Sequence, residues 1–598
     1  MKKGFTAMQE KLDQTNSEKI RTLINTALGK AKADLVISNA NLVNVYSGEL
    51  LSGQSVAIKG DRIAFIGEQS EHTIGPDTDV IDASGKVLIP GFIDAHTHPF
   101  QLCPVDGFLK YAIRGGTTAI ISETTHLALT LGYRGLQQFL KATNNQPIKI
   151  FTTVAPTVSL SPTSQLNILR PEQLRRLFKQ KSIVGLGENN WPSILKNDGG
   201  IISLHAETLN AGKQLEGHSA GASGINLVAY VASGISSCHE STTIEDVLER
   251  LKLGLHVMIR EGDVRRDLEA IASIKDEPID FRRLVLCTDG VKPTHLIQHG
   301  YMEFVIQKAI DLGFNPIVAI QMATINAAEH FSLDNLIGGI APGKCADMVI
   351  IPNLRNIEAE MVISNGQIIA QRGQLLVQPR KHAYHKSILR SIHIPGKMEP
   401  ADFQISVQET DKSVTVRVIN QITEAVTKEE QIAITPKNGL LETDIERDIL
   451  KVSFIDRTNS PGKMFTGFVK GFGMRRGAIA CSVSMILSGI TVVGTKDEDI
   501  AGAVNRVIDL QGGVVVYNEG EVLAELPLPV AGYISELPIE IVSERFEAIQ
   551  KSSADLGTSL PRIYSTVAAL GTTVIPFLRI CESGLMDIKK GELVGLLV

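Results

Sequence analysis

Short apolar segments alternate with helical segments over a long stretch of the chain. Helical character lies between most of these apolar segments, for example over Pro171–Gln180 and Thr243–Leu253. Strand–helix units in this number, over about 250 residues, are typical of a (β/α)8 barrel. The pattern therefore predicts a TIM-like α/β barrel over residues 89–339. The eight predicted strands are Val87–Ile93, Thr117–Ser122, Ile148–Val154, Ile183–Leu186, Lys213–Glu216, Gly234–Ser237, Leu255–Ile259 and Leu284–Cys287.

Strand-rich sequence lies on both sides of this barrel region. Residues 34–88 contain DLVISNANLVNV and VAIKGDRIAFIG, and the second of these is predicted to turn at Gly60-Asp61. Asp347–Ile351 and Met361–Ile369 have the same character. Neither segment is long enough to close a stable sheet by itself. We therefore expect residues 34–88 and 340–395 to form one small flanking β domain.

The two ends of the chain differ from the barrel region. Residues 1–33 are polar and predict a helical lead-in without the apolar core of a signal peptide. After HIPGKMEP, which has the composition of a linker, strands such as SVTVRVIN and GGVVVY alternate with helices over Asp497–Leu510 and Leu537–Ser553. Residues 400–598 are therefore predicted to form a separate C-terminal α+β domain.

The composition indicates which partners and which cellular compartment to expect. The chain has 598 residues, which is too long for one hydrophobic core. Its net charge of −6 gives no reason to expect a nucleic acid or an anionic membrane as partner. No apolar run has transmembrane length, and the six cysteines are scattered without a CxxC pair. We expect a cytoplasmic protein in a reducing compartment, with no membrane and no nucleic-acid partner.

Ligand-type side chains follow several of the predicted strands. Active sites of such barrels lie at the carboxyl ends of the strands. Taken singly, a histidine or a carboxylate there is commonly a helix cap or a solvated loop residue. Four histidines and two carboxylates at the same end of one barrel instead predict a metal site. The six residues are His96 and His98 in PGFIDAHTHPF, Glu188 in GLGE, His218 in GH, His239 in CHE, and Asp289 in CTDG.

Six ligands are more than one zinc-like ion needs, so the set predicts two divalent metals. Glu188 is the expected bridge between them and one of the two predicted catalytic residues. Paired metals make a hydroxide from water at neutral pH and polarise the bond under attack. Asp289, the second predicted catalytic residue, would take the proton of the water and pass it to the leaving group.

At these residues the sequence resembles the amidohydrolase superfamily, and within it the bacterial adenine deaminase family. The motifs PGFIDAHTH, GLGE, GH, HE and TDG carry the first resemblance, and Gly217–Gly262, Thr288–Phe331 and Gly462–Ser484 carry the second. The similarity extends over nearly the whole chain after residue 33. It implies hydrolytic deamination of adenine to hypoxanthine and ammonia, with manganese in the site and iron or zinc as alternatives. We also expect a homo-oligomer with a small-molecule purine as substrate.

The chain departs from the family pattern in four places. Pro99–Leu102 stand where the family has a segment like HIESS, and Glu123–His126 stand where it has DPHE. Gly290 replaces the second aspartate of TDD, and Met485–Gly489 replace HDSHN. The metal ligands are retained while segments expected to contact the substrate differ. The departures therefore predict a changed preference among aminopurines.

Four further residues are candidate substrate contacts, namely Arg260, Ser219, Glu240 and His126. For Arg260 the alternative is an ion pair with a neighbouring helix, and for Ser219 it is a capping role.

Two alternative functions stay open. One is an amidohydrolase that acts on another aminopurine or on a cyclic amide, although such amide hydrolases often use a carboxylated lysine where this chain has Glu188. The other is a non-catalytic family member. The complete ligand set argues against it, because buried ligands without a metal are costly.

Overall fold

The computed structural model describes residues 16–156, 169–196, 199–263, 265–409, 412–424, 426–484, 487–573, 575 and 577–598, apart from the side chains of residues 125, 126 and 129. Residues 16–27 are helical, and the rest of the predicted lead-in up to residue 15 lies outside the described residues. Within the described part of the chain, no helix combines the length and the apolar character that crossing a bilayer requires.

A nine-stranded sheet, here called the flanking sheet, takes strands from both sides of the barrel. Val87–Pro90 joins its two halves, because it pairs in parallel with Leu35–Asn44 and antiparallel with Met348–Ile351. Leu42, Leu88 and Ile350 pack together in a separate hydrophobic core of the flanking sheet. The strands of the flanking sheet are Leu35–Asn44, Glu49–Lys59, Arg62–Gly67, Asp79–Asp82, Val87–Pro90, Met348–Ile351, Met361–Ser364, Gln367–Gln371 and Gln374–Leu375.

The barrel strands, numbered β1 to β8 in chain order, are all parallel to their neighbours. They are β1 Phe92–Thr97, β2 Thr117–Glu123, β3 Lys149–Val154, β4 Ile183–Asn190, β5 Gln214–His218, β6 Ser237–Cys238, β7 His256–Arg260 and β8 Leu284–Cys287. Backbone hydrogen bonds join the sheet β1–β5 to the sheet β6–β8 at both edges. The Ser236 N–H donates to the Leu215 oxygen (2.9 Å), and the Asp289 N–H donates to the His96 oxygen (3.0 Å). The fold class predicted from the sequence is confirmed.

The bounds of two predicted strands are wrong for a backbone reason. The apolar run Val87–Ile93 splits at Gly91, so that Val87–Pro90 enters the flanking sheet and the barrel strand begins at Phe92. A Cβ atom at Gly91 would lie 2.1 Å from the Thr118 Oγ1 atom, so the chain can cross between the two sheets there only as glycine. Strand β6 begins later than expected because Gly234 has a φ of +96° and belongs to the preceding turn.

Helices connect the barrel strands and cover their outer side. They are Val105–Arg114, Thr125–Thr143, Pro171–Leu177, Trp191–Leu195, Gly199–Asn210, Gly224–Ala232, Ile244–Lys252, Leu268–Ile271, Pro293–His299, Met302–Asp311, Pro316–Met322 and Ile325–His330, with 3-10 turns at Ala272–Asp276 and Phe281–Arg283. The helix Thr125–Thr143 is kinked at Gly132, whose φ is 57°. A 3-10 turn, Glu71–Thr73, lies in the N-terminal region, and a short helix, Lys386–Leu389, follows the flanking sheet.

The C-terminal region is built around an eight-stranded, mainly antiparallel sheet. In spatial order its strands are Thr427–Ile434, Val414–Gln421, Met464–Lys470, Leu450–Asp456, Gly489–Gly494, Ala478–Cys481, Gly513–Asn518 and Glu521–Pro527. Smaller sheets are formed by Ile405–Ser406 with Leu440–Leu441 and by Leu578–Cys581, Gly584–Asp587 and Glu592–Val594. The helices are Asp497–Asp509, Ile539–Asp555 and Ile563–Leu570, with a 3-10 turn at Pro400–Phe403.

The C-terminal region contacts loops at the carboxyl end of the barrel. The Leu102 N–H donates to the Tyr533 oxygen (3.2 Å), and the Ser535 N–H donates to the Leu102 oxygen (3.0 Å). On another loop, the Arg562 Nη1 atom donates to the Asp263 oxygen (2.7 Å). Because Leu102 follows β1 and Asp263 follows β7, the C-terminal region lies beside the barrel end where the predicted metal ligands stand.

Candidate metal centre

The six predicted ligands converge at the carboxyl end of the barrel in two sets. One nitrogen or oxygen atom from each of His96, His98, Glu188 and Asp289 lies within 4.8 Å of the others, and the same holds for Glu188, His218 and His239. Glu188 belongs to both sets. The geometry thus has the form expected for two cations that share one carboxylate.

The strand ends explain why these side chains meet. His96 lies in β1, Glu188 near the end of β4, and His218 at the last position of β5. His239 directly follows β6, and Asp289 stands two residues after β8. Since all eight strands run in the same direction, residues at their carboxyl ends face a common space.

Distances within the first set suit atoms that share a cation. The His96 Nε2 atom lies 3.4 Å from Asp289 Oδ1 and 3.5 Å from Glu188 Oε1, and the His98 Nε2 atom lies 3.4 Å from Glu188 Oε1. Two ligand atoms, each about 2.0–2.2 Å from one ion, lie about 3.0–3.5 Å apart. The buried His96 Nε2 atom makes no hydrogen bond with any described residue. The residues of this set therefore fit a divalent metal.

An additional carboxylate, that of Glu240, lies against the two histidines of the second set. The Glu240 Oε1 atom lies 2.7 Å from His218 Nδ1 and 2.5 Å from His239 Nε2, while Glu240 Oε2 accepts a hydrogen bond from the Ser219 N–H (2.8 Å). A metal-bound imidazole nitrogen carries no proton and cannot donate to a carboxylate at the same time. A cation held by His218 and His239 would therefore require Glu240 to move away or to become a ligand.

The histidines and carboxylates of the cluster shift the pKa values of one another. Burial alone would raise the pKa of Asp289, but His96, His239 and Arg260 lower that pKa to about 2. Burial opposes the charged form of His96, yet the carboxylates of Asp289 and Glu188 raise the pKa of His96 well above its usual range. Without a metal, protons on the imidazoles thus balance the carboxylates. A divalent cation would displace those protons.

Asp289 has a strained backbone and a fixed carboxylate. Its φ is 55°, a left-handed conformation that non-glycine residues rarely adopt and that is commonly found at functional sites. Arg260 Nη1 donates to Asp289 Oδ2 (3.2 Å), so the other oxygen, Oδ1, remains toward His96. The strain and the two contacts together point this carboxylate into the centre.

The predicted substrate contacts lie around the cluster in different surroundings. Arg260 is paired with Asp267 (2.8 Å) as well as with Asp289, which corresponds to the ion-pair alternative. Ser219 is buried, and its Oγ accepts from Arg250 Nε (3.2 Å) and contacts Cys238 Sγ at 2.8 Å. The side chain of His126 lies outside the described residues, and Glu240 contacts His218 and His239 of the second ligand set.

A buried network beneath the ligands was not predicted. Asp94 Oδ2 accepts hydrogen bonds from Thr288 Oγ1 (2.6 Å) and from the Tyr301 hydroxyl (2.5 Å), while Asp94 Oδ1 accepts from the His96 N–H (3.3 Å). Burial raises the pKa of Asp94 to about 6. The network ties β1 to the residue before Asp289. The signal in the sequence was a lone aspartate in an apolar strand, two residues before His96.

A cavity lies beside the first ligand set, and the C-terminal region contributes part of its wall. It is lined by His98, Pro99, Phe100, Gln101, Glu123, Thr124, Leu127, Phe139, Tyr533 and Ile534. The Tyr533 hydroxyl accepts a hydrogen bond from the Ser484 N–H (3.0 Å). Ser484 directly precedes the Met485–Gly489 segment, which departs from the family pattern. Residues 485 and 486 of this segment lie outside the described residues. This departure is therefore adjacent to a residue that lines the cavity.

Comparison with known proteins gives the family. An amidohydrolase family model matches residues 87–370, and a model of the adenine deaminase C-terminal domain matches residues 424–592. An adenine deaminase of Clostridium botulinum (strain 657 / Type Ba4) is 37% identical over 585 residues, which cover 97% of both chains. One from Moorella thermoacetica (strain ATCC 39073 / JCM 9320) is 37% identical over 588 residues, covering 97% of this chain and 98% of the relative. The chain belongs to the adenine deaminase family.

Membership in the adenine deaminase family confirms two predictions made from the sequence. The resemblance is real over nearly the full length, including the C-terminal region that the second model matches. The enzyme class, a metal-dependent hydrolase, is also confirmed. The amidohydrolase match together with the histidine and carboxylate cluster indicates a divalent metal.

Proposed function

We propose that the protein hydrolyses adenine to hypoxanthine and ammonia. The observation that carries this proposal is the convergence of six ligand-type side chains, in two sets sharing Glu188, within a chain of this family. In the reaction, the oxygen of water bonds to C6 of the purine, the bond between C6 and the exocyclic nitrogen breaks, and that nitrogen leaves as ammonia.

We propose two divalent ions, one for each ligand set. One divalent ion would be held by His96, His98, Glu188 and Asp289, and the second by Glu188, His218 and His239. When bound, such ions supply Lewis acidity, which acidifies water and polarises the carbon under attack. We propose manganese, which the resemblance to the adenine deaminase family implies, with iron or zinc as alternatives. Carboxylate ligands suit manganese, and imidazole ligands suit iron and zinc.

Asp289 is the proposed proton carrier. Its lowered pKa keeps the carboxylate ionised at neutral pH, so the carboxylate can take a proton from the attacking water. The same group then gives the proton to the amine that leaves. Arg260 holds Oδ2 and thereby fixes the direction in which Oδ1 points. Glu188, the second proposed catalytic residue, acts by holding both ligand sets together.

The substrate would bind in the cavity beside the first ligand set. Phe100, Leu127 and Phe139 offer apolar surface for a flat ring, and Thr124 offers a polar group. Ser219, Glu240, Arg260 and His126 remain candidate contacts. The altered Met485–Gly489 segment, next to Tyr533, favours a second candidate function, the deamination of another aminopurine. A site built to hydrogen-bond one ring rejects rings that lack the matching group.

Ammonia release from a panel of purines, measured with the manganese-loaded protein, tests the proposal. We expect about two ions per chain and ammonia from adenine at a measurable rate. The Asp267→Asn protein serves as the control. Asp267 pairs with Arg260 but belongs to neither ligand set, so this variant should keep its metal. Rapid hydrolysis of a cyclic amide without any release of ammonia from adenine would overturn the adenine assignment.

We also propose the setting of the protein. All six cysteines are free thiols and are buried, which suits a reducing compartment such as the cytoplasm. A homo-oligomer remains our expectation. We propose the division into residues 34–88 with 340–395, residues 89–339 and residues 400–598, because the flanking sheet combines strands from both sides of the barrel.

A further inference from the structure

Glu123 is a buried carboxylate that the proposed mechanism does not use. It is the last residue of β2, and its side chain is 1% exposed. Neither of its carboxylate oxygens makes a hydrogen bond with any residue in the described part of the chain. Burying an unpaired carboxylate is costly. We therefore expect this unpaired carboxylate to have a role beside the candidate metal centre.

The backbone makes room for this carboxylate. A Cβ atom at Gly187 would lie 2.1 Å from Glu123 Oε2 and 2.7 Å from Glu123 Oε1. Gly187 stands directly before Glu188 on β4. The glycine therefore allows Glu123 to reach between β2 and β4 toward the ligands, which a larger residue at position 187 would prevent.

The His96 ring lies between Glu123 and the first ligand set. Its Nε2 atom faces Asp289 Oδ1 and Glu188 Oε1, whereas its Nδ1 atom lies 3.7 Å from Glu123 Oε1. That separation exceeds the usual N–H···O range of about 2.7–3.2 Å by about half an ångström. A hydrogen bond between these two atoms therefore requires them to approach by about half an ångström.

Metal-binding histidines commonly donate the N–H of their other ring nitrogen to a carboxylate, which fixes the tautomer and the ring direction. We propose that Glu123 is the positioning residue that performs this task for His96. It accepts a hydrogen bond from Nδ1 and leaves Nε2 without a proton and directed at the metal. The inference rests on the proposed function only in that His96 binds a metal, and it does not depend on which purine is the substrate.

The experiment measures the affinity of metal-stripped protein for Mn²⁺, from the electron paramagnetic resonance signal of the free ion. The Glu123→Gln protein, which keeps the shape but loses the charge, should bind about 10–100-fold more weakly. Glu123→Asp keeps a carboxylate and should lose less affinity. Glu303→Gln, the same change at a buried carboxylate outside the ligand sets, is the matched control and should bind like the wild type.

A double-mutant cycle separates positioning from other effects. In a His96→Ala background, Glu123→Gln should change the Mn²⁺ affinity by less than about twofold, because the ring it positions is gone. With excess Mn²⁺, the kcat of Glu123→Gln should largely recover while its KM stays near that of the wild type.

Unchanged Mn²⁺ affinity in Glu123→Gln would overturn the inference, and a raised KM alone would place the carboxylate on the substrate instead. If His96→Ala itself bound Mn²⁺ like the wild type, the proposed metal site would fail as well, so the two failures are distinguishable. Thermal unfolding shows which variants are folded, and Glu123→Asp provides the comparison if Glu123→Gln is not.

Discussion

The two walls of the cavity differ in their chemistry. The barrel wall carries His98, a member of the first ligand set, and Glu123, whose Oε1 atom lies 3.7 Å from the His96 Nδ1 atom. The wall from the C-terminal region presents Tyr533 and Ile534, beside a segment where family-like polar residues are replaced by MILSG. The barrel thus retains the ligand residues that metal-dependent hydrolysis requires. Departures from the family pattern occur on both sides of the cavity, at Pro99–Leu102 and Glu123–His126 on the barrel wall and at Met485–Gly489 beside the opposite wall. We therefore expect the reaction type to depend on the ligand sets and the substrate preference to depend on the residues that line the cavity.

We expect the largest effect on activity from removing the proposed proton carrier, Asp289, on the barrel side. Asp289→Asn should lower kcat by about 10²–10⁴-fold, because the amide cannot accept a proton from water. Steady-state ammonia release measures the effect. Asp267→Asn also loses a contact to Arg260 but leaves the carboxylate of Asp289 in place, and it should lose much less activity. A kcat of Asp289→Asn within tenfold of the wild type would contradict the assigned role.

Glu303 tests how burial alone changes the pKa of a carboxyl group, because it belongs to neither ligand set. Burial raises the pKa of Glu303 from 4.5 to about 7, so the folded protein binds more protons than the unfolded chain between these pH values. The neutral form is stabilising below pH 4.5, and this contribution is lost as the pH rises through 7. Glu303→Gln should therefore be more stable than the wild type at pH 8 by roughly 1–3 kcal/mol, and less so at pH 5.

Denaturant unfolding at the two pH values measures this difference in the free energy of unfolding. Glu269→Gln, at an exposed position, should show no such dependence on pH. Equal stabilisation by Glu303→Gln at both pH values would contradict the raised pKa.

A smaller effect is expected when the wall from the C-terminal region is restored. Replacing residues 485–488 by the family-like His, Asp, Ser and His should raise the kcat/KM for adenine relative to other aminopurines by about tenfold. Gly489 should be kept, because a Cβ atom there would lie 2.2 Å from the Phe454 Cζ atom. A metal content equal to that of the wild type is the control. An unchanged ratio of kcat/KM values would show that this wall does not select the substrate.

Much of the barrel could be predicted because it depends on local sequence, and so could the strand-end positions of the six proposed ligands. An apolar strand followed by a polar residue is visible in the chain, and parallel strands bring such residues to one end. The bounds near Gly91 could not be predicted, since the apolar run continues across the point where the chain passes from one sheet to the next.

The remaining parts of the site depend on contacts between distant residues. Tyr301 reaches Asp94 across 207 positions of the chain, and Glu240 meets His218 only because β5 and β6 are neighbours. Arg260 was open to two interpretations, and its partners Asp267 and Asp289 become evident only in the folded chain. No pattern of neighbouring residues specifies such contacts.

The central claim is that two metal sites share Glu188, and the metal content of matched variants tests it most directly. Metal-stripped wild type, His218→Ala and Glu188→Gln are titrated with Mn²⁺ and the bound ions are counted. Because His218 belongs to one ligand set and Glu188 to both, we predict about two ions per chain for the wild type, about one for His218→Ala, and weak binding at both sites for Glu188→Gln. A wild-type protein that binds a single ion, or a Glu188→Gln protein that still binds two tightly, would contradict the account.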